Sequence, residues 1–133
     1  MNFLVIDDDS YKLKDICNEI KDCDTIVPAT TVVDAMAKYM EEEKSIDCVI
    51  TDMQFPFHCD DREIDIEAGL FILHELKRKG FKGKIILCTS SSKEEIAKLE
   101  KAKEFDYIIY YDCSVSLRSD FEKIYELLGS KIE

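Results

Sequence analysis

Apolar residues along the chain follow two spacings, short continuous runs and longer stretches with a helical period. Five short runs are rich in β-branched and aromatic residues, and each predicts a β-strand. These runs are 3–6, 25–27, 46–51, 84–88 and 107–111. Pro28 follows the second run directly, so the second strand is predicted to end at Pro28.

The segments between the runs have the period of amphipathic helices. The first is predicted to bury Leu13, Ile16, Cys17 and Ile20. The second is predicted to begin at Thr31, where Asp34 three residues later allows a capping box. Its predicted inward face carries Val32, Val33, Met36, Tyr39 and Met40. The third is predicted to run from about residue 68 to about residue 80, the fourth to begin at capping boxes within 91–95, and the last to be capped by Ser119 and end at Gly129.

Strict alternation of five strands and five helices predicts an α/β fold, a doubly wound parallel sheet covered on both faces. The length of 133 residues predicts one domain, residues 1–133. One segment, 57–68, has no clear period and is rich in aspartate and glutamate. We interpret it as an acidic loop inserted after the third strand.

The chain is strongly acidic, with 18 Lys and Arg against 29 Asp and Glu and a net charge of −11. A field of that sign disfavours binding to nucleic acid or to anionic membranes. No apolar run approaches the length of a membrane span, and no signal peptide is recognisable. Six cysteines without a CxxC pair indicate reduced thiols rather than a zinc site. We therefore expect a cytoplasmic protein.

Acidic and hydroxyl residues follow the predicted strands. Asp7 and Asp8 end the first strand, Asp52 the third, and Thr89 the fourth. Ligands of open α/β sheets bind at this carboxyl edge, where these side chains are expected to converge. Clustered carboxylates repel one another, and Mg²⁺ with its preference for oxygen ligands relieves that repulsion. A carboxylate beside such an ion can attack a phosphoryl group and form an aspartyl-phosphate.

In order and spacing, these motifs resemble the receiver domains of response regulators, which have a chemotaxis-type, flavodoxin-like (βα)5 fold. The resemblance covers nearly the whole chain. It is carried by the segments 3–8, 52–56, 69–70, 85–89 and 106–109. It implies the strand order 2-1-3-4-5.

The resemblance also implies a function in two-component signalling rather than an enzyme. Asp52 would accept a phosphoryl group from a histidine kinase or phosphotransfer protein. Mg²⁺ would be held by Asp7, Asp8, Asp52 and the backbone carbonyl of Gln54. Thr89 would bind the phosphoryl group, and Tyr107 would turn inward as the switch aromatic. The partner is then a downstream protein, an output domain or a second copy of the chain.

Two alternatives remain open, and the first follows from a departure from the family pattern. Receiver domains place a Lys three residues after the switch aromatic, usually followed by Pro; here those positions are Tyr110 and Tyr111. The first alternative is a pseudo-receiver that binds partners without phosphorylation. The second, suggested by Asp7 and Asp9 after the first strand and Thr89 after a later one, is a haloacid-dehalogenase-like phosphatase.

Overall fold

The five apolar runs form one parallel sheet in the computed structural model, which describes residues 1–42, 44–61 and 63–129. The strands are β1 (Asn2–Ile6), β2 (Thr25–Ala29), β3 (Cys48–Thr51), β4 (Lys84–Thr89) and β5 (Tyr107–Tyr110). They are arranged in the order β2-β1-β3-β4-β5. The fold class and strand order expected from the sequence are confirmed.

Helices follow the strands and cover both faces of the sheet. They are α1 (Ser10–Glu19), α2 (Val32–Glu42), α3 (Ala68–Arg78), α4 (Lys93–Ala97) and α5 (Arg118–Leu127), with a 3₁₀ helix at Glu100–Glu104 before β5. Along β1, Leu4 and Ile6 pack in the core on the side of α2 and α3, whereas Phe3 and Val5 pack on the side of α1 and α5. No helix within the described residues has the length and apolarity needed to cross a membrane.

The predicted end of β2 at Pro28 is one residue short, because the strand continues through Pro28 to Ala29. Pro28 lies opposite Val5 of β1. Since β2 is the edge strand, its outer side has no neighbour that would need the missing N–H of proline. The longer strand places Ala29 beside Ile6, where the Asp7 N–H donates to the Ala29 carbonyl at 3.0 Å.

The inward face of α2 was only partly predicted. Val32 and Tyr39 are buried as expected, but Val33 and Met40 are exposed at 45% and 52%. Ala35 is buried in the core instead. Apolar character alone therefore predicted an inward face that covers too much of the helix surface.

The predicted helix starts were correct for α2 and α4 and wrong for α5. The Asp34 N–H donates to Oγ1 of Thr31 at 3.0 Å, and Ser92 forms a capping box with Glu95. The last helix begins at Arg118, before Ser119. There the Arg118 N–H donates to Oγ of Ser116 at 3.1 Å.

The acidic loop between β3 and α3 is fixed to the domain at its base. Asp65 pairs with Phe55 in an antiparallel bridge, and its N–H donates to the Phe55 carbonyl at 3.1 Å. The carbonyls of Pro56 and Phe57 accept the N–H groups of the first two α2 residues at 3.1 and 2.9 Å. These contacts satisfy backbone donors that a helix start leaves unpaired.

Candidate functional site

Three carboxylates converge at the carboxyl edge of the sheet. Asp7 and Asp8 follow β1, and Asp52 follows the neighbouring strand β3. The Asp52 N–H donates to the Ile6 carbonyl at 2.9 Å, which holds the two strand ends side by side. Each carboxylate contributes an oxygen to a group whose members all lie within 4.8 Å of one another. The structure therefore brings together the three acidic residues that the sequence placed at this edge.

Asp7 is the buried member of the acidic group, at 1% exposure. Burial, followed by repulsion from Asp52, raises its pKa to about 6, although attraction to Lys12 opposes the rise. Oδ1 accepts the Asp9 N–H at 2.9 Å. Oδ2 is buried and accepts no hydrogen bond from any described residue. Asp8 is exposed, and its pKa is also raised, mainly by partial desolvation.

A lysine that the sequence analysis missed lies in the middle of this group. The Lys12 ammonium, on the first turn of α1, lies 3.0 Å from Oδ2 of Asp7 and 3.0 Å from Oδ1 of Asp52. Its side chain is 2% exposed. The ammonium therefore forms ion pairs with both carboxylates. Burial opposes the charged form of Lys12, but attraction to Cys88, Asp7 and Asp52 outweighs it and raises the pKa of Lys12.

Asp9 explains how Lys12 reaches the site. It is the N-cap of α1, and its Oδ1 accepts the N–H groups of Tyr11 and Lys12 at 3.0 and 3.3 Å. Lys12 lies four residues before the buried Ile16, on the inward face of the helix. A lysine in register with the apolar stripe, next to strand-end aspartates, was the signal that the sequence offered.

Thr89 ends β4 at the same edge and is buried. Its Oγ1 accepts the Ser91 N–H at 3.0 Å, and its carbonyl accepts the Tyr111 N–H at 2.7 Å. Gln54 is exposed two residues beyond Asp52. Between them, the Met53 N–H donates to Oδ1 of Asp52 at 2.7 Å and so fixes the carboxylate.

The three tyrosines of the fifth strand region have different surroundings. Side chains alternate along a strand, so Thr89 shares the face of Ile85 and Leu87, the side of α2 and α3. Tyr107 instead packs on the side of α1 and α5, where its hydroxyl donates to Asp120 at 2.7 Å. The structure therefore does not bring Tyr107 to Thr89; Ile108 has that face.

Tyr110 is 37% exposed, with Lys93 Nζ 5.5 Å from its ring centroid. Tyr111, rather than Tyr110, approaches the acidic group, because its ring centroid lies 5.7 Å from Lys12 Nζ. The Tyr111 hydroxyl donates to Asp15. That hydrogen bond raises the pKa of Tyr111 well above its usual range.

The acidic group has the properties of a site for a hard cation. Its donors are all carboxylate oxygens, the type that Mg²⁺ prefers. One of them, Oδ2 of Asp7, is buried with the Lys12 ammonium 3.0 Å away, because a buried carboxylate oxygen is costly without a cation beside it. A second set of close groups, His58, Cys59 and Asp60, is exposed in the acidic loop. The six cysteines are all free.

The same fold occurs in solved structures of response regulators. TrrA from Thermotoga maritima, in complex with Mg²⁺–BeF, is 23% identical over 95% of this chain and 97% of its own, with a TM-score of 0.71. A receiver domain protein from Clostridium thermocellum is 24% identical over 98% and 95%, with a TM-score of 0.73. A two-component response regulator from Clostridium difficile is 12% identical over 100% and 99%, with a TM-score of 0.74.

These structural neighbours are response regulators, among them a receiver domain protein, and the chain has their fold. No protein-family model matches the sequence, and no curated protein matches it. At such identities the likeness concerns the fold, and function has to be argued from the site.

Proposed function

We propose that the chain is a signalling receiver that accepts a phosphoryl group on Asp52 from a histidine kinase or a phosphotransfer protein. One observation carries this proposal: Asp52 lies at a strand end, within 4.8 Å of two further carboxylates and 3.0 Å from a buried ammonium. Three carboxylates and a buried ammonium at one edge of the sheet suit a cation and a phosphoryl group better than they suit a purely structural role.

In the proposed reaction, an Asp52 oxygen forms a bond to phosphorus. The bond from phosphorus to the donor nitrogen of phosphohistidine breaks, and its electron pair leaves with the imidazole, which takes up a proton. Asp7, Asp8, Asp52 and the Gln54 carbonyl would hold Mg²⁺, which neutralises charge on the phosphoryl oxygens. The Met53 N–H, 2.7 Å from Oδ1 of Asp52, keeps the carboxylate in one orientation.

Thr89 is the proposed hydroxyl ligand of the phosphoryl group. To bind it, Oγ1 would point its proton into the site while it still accepts the Ser91 N–H. The downstream partner would then recognise the surface of α4, β5 and α5, where Tyr110 is exposed beside Lys93. The partner is a protein, and homodimers through this surface are part of the proposal.

The mass of the intact protein after incubation with Mg²⁺ and acetyl phosphate tests this function. We expect one phosphoryl adduct on the wild type, none on Asp52→Ala, and an unchanged adduct on Asp60→Ala, a control in the exposed acidic loop. An adduct of equal size on Asp52→Ala would refute the assignment. No adduct on a folded wild type, from acetyl phosphate or phosphohistidine donors, would favour the pseudo-receiver.

The phosphatase alternative has less support, because it needs Asp9 to face the reacting group. Asp9 is exposed and its Oδ1 caps α1, outside the acidic group. A phosphatase would turn over a phosphate ester steadily and would lose that turnover in Asp7→Asn but keep it in Asp52→Ala. The proposed receiver would instead gain one phosphoryl group per molecule and would lose that adduct in Asp52→Ala.

A further inference from the structure

Lys12 is the one buried lysine or arginine within the described residues. Burying an ammonium is costly unless charges compensate it, and here two carboxylates lie at 3.0 Å. It is not needed to fill a gap in an ordinary apolar stripe, since Met or Leu would do so at lower cost. Its placement beside Asp52 therefore calls for a role in the site.

β5 carries no lysine or arginine that could reach the acidic group. Tyr110 is directed to Lys93 at the start of α4. Tyr111 approaches the acidic group but brings an aromatic ring, and its hydroxyl donates to Asp15 on α1. The only cationic side chain within ion-pair distance of Asp52 among the described residues comes from α1.

We propose that Lys12 is the phosphoryl-binding cation of this domain, supplied by the first helix instead of the fifth strand. This inference rests on the proposed function of Asp52. In the unmodified protein the ammonium bridges Asp7 and Asp52. When Asp52 carries a phosphoryl group, the ammonium keeps Asp7 as a partner and donates to a phosphoryl oxygen in place of the carboxylate oxygen.

The charges of the site give this role a distinctive consequence. Three carboxylates and one ammonium leave a net charge of −2, which one divalent cation balances. Lys12 repels that cation and attracts the phosphoryl group. Removing its charge should thus strengthen metal binding and weaken phosphoryl binding, whereas damage to the fold would weaken both.

The experiment compares Lys12→Met with wild type and with Lys14→Met, a control on the exposed side of the same helix. Each ¹⁵N-labelled protein is titrated with Mg²⁺ alone, and then with beryllofluoride at saturating Mg²⁺. The Met53 amide serves as the reporter, since it donates to Asp52. If Lys12→Met does not fold, Lys12→Gln carries the same test.

We expect Lys12→Met to bind Mg²⁺ about tenfold more tightly, and to bind beryllofluoride about ten- to a hundredfold more weakly, the loss of one charge-assisted hydrogen bond. Lys14→Met should match wild type in both. In the double variant Lys12→Met/Tyr111→Lys, beryllofluoride affinity should recover, since position 111 faces the same site.

The two proposals fail in different ways. Unchanged beryllofluoride binding in Lys12→Met, or a parallel loss of Mg²⁺ and beryllofluoride binding, would overturn the role of Lys12 and leave Asp52 as the acceptor. A wild type that binds Mg²⁺ but never beryllofluoride would overturn both.

Discussion

Gly69 on the first turn of α3 lies against the backbone of Asp52 so closely that a Cβ at position 69 would come within 2.4 Å of the Asp52 carbonyl oxygen. The Gly69 N–H donates to the Met53 carbonyl at 2.9 Å, so the contact is held in place. Gly69→Ala should therefore push α3 away from the acceptor residue. We expect a loss of about 1–3 kcal/mol in the free energy of unfolding and a lower yield of the phosphoryl adduct.

Gly80→Ala separates these two effects. Gly80 has a φ of 80° and no atom near its would-be Cβ, so alanine there strains the backbone far from the site. It should reduce stability, as measured by urea denaturation, without changing adduct yield per folded molecule. Equal adduct yield in the two variants would argue against a role for the contact between Gly69 and Asp52.

The raised pKa of Asp7, about 6 against a reference of 3.8, predicts a pH-dependent stability in metal-free buffer. The folded state holds the Asp7 proton more tightly than the unfolded state does. Its contribution to stability is thus present below about pH 4 and is lost as the pH rises through 6. Asp7→Asn should gain stability relative to wild type between pH 4.5 and 7.5, by up to about 3 kcal/mol.

Urea denaturation in EDTA at several pH values measures this difference. Parallel stability curves for wild type and Asp7→Asn would contradict the assignment of the shift to burial of Asp7. Mg²⁺ should reduce the difference, since the cation compensates the buried carboxylate.

Thr89→Val tests the proposed hydroxyl ligand. Valine keeps the shape of the buried side chain but leaves the Ser91 N–H without its acceptor. We expect a loss of about 1 kcal/mol in stability and a roughly fivefold lower beryllofluoride affinity, the effect of one neutral hydrogen bond. Ser90→Ala, at an exposed neighbouring position, is the control. Unaltered affinity in Thr89→Val would remove Thr89 from the site.

Tyr107→Phe should act on stability alone. It removes the hydroxyl that donates to Asp120 at 2.7 Å and so loosens β5 from α5, at a cost of about 1 kcal/mol. Tyr107 lies on the face away from Thr89, so the beryllofluoride titration should not change. Tyr11→Phe, 82% exposed, serves as the control. A shifted titration curve in Tyr107→Phe would contradict this and would support the switch role that the family resemblance implies for Tyr107.

Periodicity predicted the architecture because the physical constraint is strong: strands buried on both faces have to be continuously apolar. The same rule failed at Pro28, since the tolerance for proline depends on whether the strand is at an edge, which only the assembled sheet decides. It failed at Val33 and Met40 because an apolar residue exposes its side chain at little cost.

In the site, strand ends predicted the acidic group because parallel strands finish at a common edge. Lys12 was missed because the inward face of α1 was predicted from its apolar residues alone. A lysine at the same helical spacing is not counted by that rule. Tyr110 and Tyr111 show a related limit. Which of two adjacent strand residues faces the site depends on register, and a slip of one residue reverses the answer.

The bridge between Phe55 and Asp65 has a consequence for how this chain tolerates change. The bridge joins the two ends of the acidic loop, so the span from Asp52 to Gly69 is set by the bridge and not by the loop's contour length. A peptide inserted at the exposed residues 58–61 would leave the bridge between Phe55 and Asp65 in place. The acidic loop is thus a place where sequence can diversify, or an affinity tag be inserted, while the acceptor aspartate keeps its surroundings.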